Sequence, residues 1–143
     1  MRFLPLLLLT GIIYAQQEDP PEVKGIPCWC LQGIAKVETR SYWDDQGKFH
    51  YIDRRDGADG EIGPFQCTAG AFALVAHKGE VFSRLRHDST FSCAIALRYL
   101  AWLRKRCKSW EEAVGCYNTG LGGSPRIGNQ YLLMVKLAAG LTP

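Results

Sequence analysis

Six cysteines, Cys28, Cys30, Cys67, Cys93, Cys107 and Cys116, all fall in the part of the 143-residue chain that follows an apolar leader. Met1-Arg2 gives a short positive start. Phe3 to Ile13 is an apolar run whose one polar member is Thr10, and Tyr14-Ala15 ends on a small residue before polar Gln16-Gln17-Glu18-Asp19. This is the three-part layout of a secretory signal, with cleavage expected after Ala15. The run is shorter than the ~20 residues that span a bilayer, so no stable membrane insertion is expected once it is removed. An even number of cysteines in a small exported domain points to disulfides. Their pairing stays open, although Cys28 and Cys30 are too close to pair comfortably with each other. A metal site would need C-x-x-C or paired histidines at ligand spacing. Neither is present, and His50, His77 and His87 stand apart, so no metal and no cofactor are expected.

The rest reads as one domain. Residues 1–15 form the signal, 16–27 a polar leader with Pro20, Pro21 and Pro27, and 28–143 the folded unit. Hydrophobic residues make up 47% of the chain, too many for disorder, and the net charge of +3 is spread along it. That excludes the clustered basic face of a nucleic-acid binder and leaves an anionic polymer acceptable as partner. Arg104-Lys105-Arg106 reads as the last turn of a helix, where cations oppose the negative end of the dipole.

The expected fold is mainly α. From Cys28 to about Thr39, Leu31, Ile34, Ala35 and Glu38 fall on one helical face. Ser41 to Gly63 is rich in Asp and Gly and reads as a long irregular loop, with a short hairpin around Phe49 and Tyr51. Thr68 to Lys78 is helical, with Gly79 as a stop. Asp88 to Cys107 is the longest helix, with Phe91, Ala94, Ile95, Tyr99, Trp102 and Leu103 inward. Ser109 and Glu112 form a capping box for a helix that carries Trp110, Ala113, Val114 and Tyr117 on one face and ends at Gly120, Gly122 and Gly123. Pro125 to Leu137 closes the domain, with Ile127, Tyr131, Met134 and Val135 inward.

Glu38 is the chief candidate for chemistry. It lies at the end of an apolar stripe, where poor solvation raises a carboxyl pKa toward the range a general acid needs. Gly63-Pro64-Phe65-Gln66 offers a glycine that lets backbone approach a ligand and an amide that both donates and accepts hydrogen bonds, as sugar hydroxyl and N-acetyl groups require. Cys116-Tyr117-Asn118-Thr119-Gly120 offers an aromatic plate and a second amide. Each has an ordinary reading when taken singly: a helix-end glutamate turned to water or paired with Lys36 or Arg40, a helix-starting turn, a core tyrosine beside a C-cap.

Taken in order, Ala35-x-Val37-Glu38-Thr39, Gly63-Pro64-Phe65-Gln66 and Ala113-x-x-Cys116-Tyr117-Asn118-Thr119-Gly120-x-Gly122 resemble the family of soluble lytic transglycosylases and goose-type lysozymes, the SLT domain. The resemblance runs from about Cys28 to Leu137 and implies a lysozyme-like domain. It implies Glu38 as catalytic acid, Thr39, Gly63, Phe65 and Gln66 lining the groove beside it, and Tyr117, Asn118 and Tyr131 positioning the sugar. The substrate it implies is the β-1,4 bond between N-acetylmuramic acid and N-acetylglucosamine in peptidoglycan strands, and the compartment is periplasmic or secreted. Pro64-Phe65 departs from the family's Leu-Met, and Gly63 follows Glu38 at a long spacing.

The loop between them brings acids that bear on mechanism. Asp56 or Asp59 could serve as the second carboxylate of an inverting, goose-type hydrolase. A transglycosylase needs none, because Glu38 serves as acid and then as base. We favour the transglycosylase on the short exported form and the Tyr-Asn motif. A non-catalytic wall-binding module is the alternative of another class, and a secretion, conjugation or phage-entry apparatus is the context such small wall-cutting domains fit.

Overall fold

The computed structural model describes residues 25–142; the signal, and the leader up to residue 24, lie outside the described residues. Helix α1 spans Cys28–Thr39. A hairpin of β1 (Tyr42–Trp43) and β2 (Phe49–His50) follows, then α2 (Ala69–Val75), a 3-10 turn (Phe82–Arg86), α3 (Ser89–Arg104), α4 (Trp110–Thr119) and α5 (Pro125–Ala138). This mainly helical order is that of a lysozyme-like domain. Among the described residues no helix is long and apolar enough to cross a membrane.

Side-chain caps set the starts of four helices. Thr68 accepts from Ala71 N–H, Asp88 from Phe91 N–H, Ser109 from Glu112 N–H and Ser124 from Ile127 N–H, each satisfying a backbone donor that has no partner inside the helix. The expected capping box is only half made: the Glu112 carboxylate accepts from Lys108 N–H at 2.6 Å, one residue earlier than a box requires. At the other end α3 stops at Arg104, so Lys105 and Arg106 lie past the helix and not in its last turn; Arg106 still donates back to the Trp102 carbonyl, while Arg104 donates forward to that of Cys107.

Helix α3 is the axis of the core. Every residue from Phe91 to Ala101 is buried, so α3 is covered on all sides, and Trp102 at its end is half-buried. Cys30, Leu31, Ile34, Phe65, Leu100, Val114, Tyr131 and Val135 pack one half of the core. Ile62, Phe72, Leu85, Phe91, Ile95, Leu103 and Ala113 pack the other. Arg98 is buried in α3 and pairs with Glu80 at 2.7 Å. That pairing explains why α2 stops at Val75 and not at Lys78. The chain must turn at His77 and Gly79, where His77 N–H donates to the Glu80 carboxylate, to bring Glu80 to Arg98.

The face expected for α5 needs correction. Tyr131 and Val135 are buried, but Ile127 is 45% and Met134 54% exposed. The inward stripe runs instead through Gly128, Tyr131 and Val135. Gly128 packs directly against Gly115 of α4, backbone to backbone, so a side chain at 127 or 134 lies off the contact line. Helix α1 reaches α5 the same way: a Cβ at Gly33 would collide with the Val135 carbonyl. Cys28, Cys30, Cys67, Cys107 and Cys116 stand as thiols. Cys93 lies in the same core half as Cys30, and the Cys107 and Cys116 thiols contact one another between α3 and α4.

Candidate active site

Glu38 sits on the last turn of α1, and the helix stops immediately after it for a local reason. Arg40 takes a left-handed conformation at φ 58°, its N–H bonding back to Lys36, while Ser41 N–H bonds back to Ala35. This is the αL termination that glycine usually supplies. The turn directs the chain into the β1–β2 hairpin, where Asp44 accepts from Gln46 and Lys48 N–H and meets His50 at 2.7 Å. Trp43 and Phe49 of the hairpin pack on Phe65, with ring centroids 6.2 and 5.8 Å away.

The Glu38 carboxyl is half-buried and receives a 2.6 Å hydrogen bond from the Tyr131 hydroxyl of α5. Burial raises its pKa above the ordinary carboxylate range, the Tyr131 bond opposes that rise, and the Glu61 carboxylate reinforces it. The Tyr131 hydroxyl is held well above the usual phenol range, first by burial and then by Glu38 beside it, so it remains a proton donor. Of the two ordinary partners the sequence offered, Lys36 and Arg40, neither takes the carboxyl: its bond goes to Tyr131.

Glu38 opens onto a shallow cleft lined also by Thr39, Asp53, Arg55, Asp56 and Gln66. Gln66 turns its amide there from an unusual backbone, at φ 45°. Its Nε2 donates to the Gly63 carbonyl at 3.0 Å, which fixes the amide beside Glu38. Left-handed conformation in a non-glycine residue costs of order 1 kcal/mol, and it sits here at the cleft.

Two hydroxyls hold this turn from beneath. Thr39, 2% exposed, donates to the Pro64 carbonyl at 2.7 Å. Tyr117 of α4 donates to the Phe65 carbonyl at 2.8 Å. Thr39 thus lines the cleft but spends its hydroxyl as a brace, and Tyr117 spends its hydroxyl in the same way.

Two expectations change here. Phe65 is 1% exposed and belongs to the core; the hairpin aromatics cover it, so it does not line the groove. Gly63, at φ 80°, does allow a close approach, but what approaches is the Leu85 carbonyl, against which a Cβ would clash. Asn118, by contrast, is exposed at the end of α4. Asp56 does reach the cleft, held by Arg86 through two bonds of 3.1 and 2.9 Å. Asp59 is exposed outside the lining, its N–H donating to Glu61 at 3.0 Å.

Sequence reasoning gave Glu61 no role, although its carboxylate closes the turn by accepting from the Asp59 N–H and lies over Gly57 beside the Gln66 amide. Its only sequence signal is its place two residues before Gly63, inside a turn-rich stretch. The Arg86 partner of Asp56 comes from a different element thirty positions away and carried no signal at all.

The family model for the transglycosylase SLT domain matches residues 31–131. No curated protein and no solved structure compared with the chain matches it. The matched span takes in most of α1, the turn at Gln66 and all of α4, and ends on Tyr131 itself. It covers well over half of the sequence, and on that ground the chain belongs to the SLT family of peptidoglycan-cleaving transglycosylases.

Proposed function

We propose that the protein is an exported lytic transglycosylase that cuts the β-1,4 bond between N-acetylmuramic acid and N-acetylglucosamine, with Glu38 as its one acid–base group. The observation that carries this reading is Glu38 itself. It is a half-buried carboxyl of raised pKa, hydrogen-bonded by Tyr131 and facing a cleft beside the Gln66 amide. As the acid, Glu38 gives its proton to the glycosidic oxygen while the C1–O4 bond breaks. As the carboxylate, it then takes the proton from the muramic acid 6-hydroxyl as that oxygen bonds to C1. The products are a 1,6-anhydro sugar and a freed 4-hydroxyl; Glu38 ends protonated and no water is consumed. The Tyr131 hydroxyl keeps the carboxyl oriented through both halves. Gln66 and exposed Asn118 offer amides to the sugar's hydroxyl and N-acetyl groups.

The reading that uses Asp56 or Asp59 as a hydrolytic base is less favoured. Asp56 is engaged by Arg86 and its pKa is lowered by that bond, which weakens it as a base, and Asp59 lies outside the cleft lining. A wall-binding module without chemistry would have no use for a poised acid. Export rests on the leader at residues 1–15, and a periplasmic or secreted location follows from it.

The test is digestion of purified peptidoglycan, with mass spectrometry of the soluble fragments. Fragments ending in 1,6-anhydro-muramic acid are expected. Reducing ends heavier by one water would replace transglycosylation with hydrolysis. Glu38→Gln is expected to bind the sacculus and release nothing, and release by that variant would remove Glu38 from the mechanism.

A further inference from the structure

The cleft wall holds many acceptors and few donors. Among the described residues it is lined by Glu38, Thr39, Asp53, Arg55, Asp56 and Gln66. Ionised Asp53 and Asp56 only accept hydrogen bonds, and the Glu38 proton goes to the glycosidic oxygen in the proposed reaction. Thr39 gives its hydroxyl proton to the Pro64 carbonyl at 2.7 Å. Gln66 spends both N–H groups of Nε2 on the protein, one on the Gly63 carbonyl at 3.0 Å and one on the Arg55 carbonyl at 3.4 Å. What Gln66 keeps for a ligand is its oxygen, Oε1. That oxygen stands beside Gly57, where a Cβ would lie 2.8 Å from it, so position 57 puts no side chain over it.

Arg55 is the lining residue that keeps donors. Its Nε and Nη2 fork onto Asp53 at 2.9 and 2.6 Å, and its backbone N–H reaches Asp53 Oδ1 at 3.2 Å. One carboxylate thus grips Arg55 at both its backbone and its guanidinium. Asp53 is itself anchored, its N–H donating to the Thr39 carbonyl at 2.9 Å, one residue from Glu38. The fork leaves Nη1 and one N–H of Nη2 unused, and the Arg55 side chain is 86% exposed. The Asp53 charge offsets that of Arg55, so the pair suits a neutral acceptor better than an anion.

We propose that Arg55 is a substrate-binding residue that reads the N-acetyl group of the sugar together with Gln66. Arg55 donates to the acetamido carbonyl, and Gln66 Oε1 accepts from the acetamido N–H. The two are linked, because the Gln66 Nε2 bond to the Arg55 carbonyl ties the amide of one to the backbone of the other. A secondary amide presents a donor and an acceptor on opposite sides and engages both groups at once. A hydroxyl in its place satisfies one and leaves the other to water. The inference deepens the proposed function and rests on N-acetylated sugar being the substrate.

The test measures binding in the Glu38→Gln protein, where no bond is cut. The probes are the β-1,4 tetramer of N-acetylglucosamine and the β-1,4 tetramer of glucose, which carries a hydroxyl where the acetamido group stands; neither bears a peptide. The N-acetylated tetramer should bind more tightly than the glucose tetramer. Adding Arg55→Ala should raise its Kd roughly tenfold, the low end for a charged hydrogen bond at an exposed site, and leave the glucose tetramer unchanged. Arg55→Lys keeps the charge beside Asp53 but not the fork, and should recover only part of the loss. Thermal melts of both variants show that the fold is kept. An unchanged Kd in Arg55→Ala, or no preference for the N-acetylated tetramer with Arg55 in place, would overturn the proposal. So would an equal loss for the two tetramers, which would make Arg55 a brace for the loop. A loss confined to peptide-bearing glycan fragments would overturn it too, by moving the contact to the peptide. The transglycosylase reading is judged separately, by its anhydro products, so either can fail while the other stands.

Discussion

Tyr131→Phe removes one oxygen from the site and should raise the Glu38 pKa further. The hydroxyl donates to Glu38 Oε1 at 2.6 Å, and a donor stabilises the carboxylate over the neutral acid. Hydrogen bonds to charged groups contribute about 1.5–3 kcal/mol. Glu38 is half-buried and partly solvated, so the lower end applies, and ~1.4 kcal/mol corresponds to one pKa unit. The alkaline limb of the activity profile, where the acid form is lost, should therefore move up by about one unit. Maximal rate should fall at the same time, because the carboxylate that accepts the 6-hydroxyl proton loses its orienting partner. Phenylalanine fills the same buried volume, so the fold should hold. The assay is release of soluble fragments across a pH series, alongside thermal melts. A limb that stays in place, or moves down, would refute the assigned role of the bond.

Further outcomes follow from other contacts. Folding raises the Glu38 pKa, so its ionised form is better tolerated in the unfolded chain. Stability should fall as pH rises from the ordinary carboxylate range to the raised value, and Glu38→Gln should abolish that dependence and melt higher at neutral pH. Gly33→Ala puts a methyl against the Val135 carbonyl, and such overpacking costs about 1–3 kcal/mol; the melt should fall and activity with it, as α5 carries Tyr131 away from Glu38. Asp56→Asn breaks an exposed pair with Arg86 and should leave release largely intact; loss of release with an unchanged melting temperature would restore Asp56 as a catalytic group. Oxidation by an added disulfide should join Cys107 to Cys116, whose thiols already touch, with two protons and two electrons passing to the oxidant. Peptide mapping reads that link, and reductant should then lower the melting temperature.

Much of this arrangement was legible beforehand. Cap residues announce themselves locally, so Asp88 and Ser109 begin helices where side-chain oxygens and free N–H groups meet, as expected, while the Ser124 cap before Pro125 emerges only in the structure. Glu38 at the end of an apolar stripe was readable for the same reason. The face of α5 was not, because Ile127 and Met134 are as apolar as Val135, and only the packing of Gly115 on Gly128 decides which stripe turns inward. The burial of Phe65 has no sequence signal, because nothing in the sequence places Trp43 and Phe49 over it. Glu61 was passed over because the path of a turn-rich loop is set by contacts such as Asp59 N–H to its carboxylate, which leave no periodic trace.

The hydroxyls of Thr39 and Tyr117 end on the carbonyls of Pro64 and Phe65, and a carbonyl is the one group every amino acid supplies alike. Evolution is thus free to rewrite the two residues between the glycine and the glutamine without loosening either strut. Proline and phenylalanine can replace leucine and methionine there while Gln66 stays where it is. The motif that defines such a site is then less a string of letters than a backbone trajectory with two fixed anchors. Chains whose middle letters have drifted further deserve to be sought by the threonine and tyrosine that grip them.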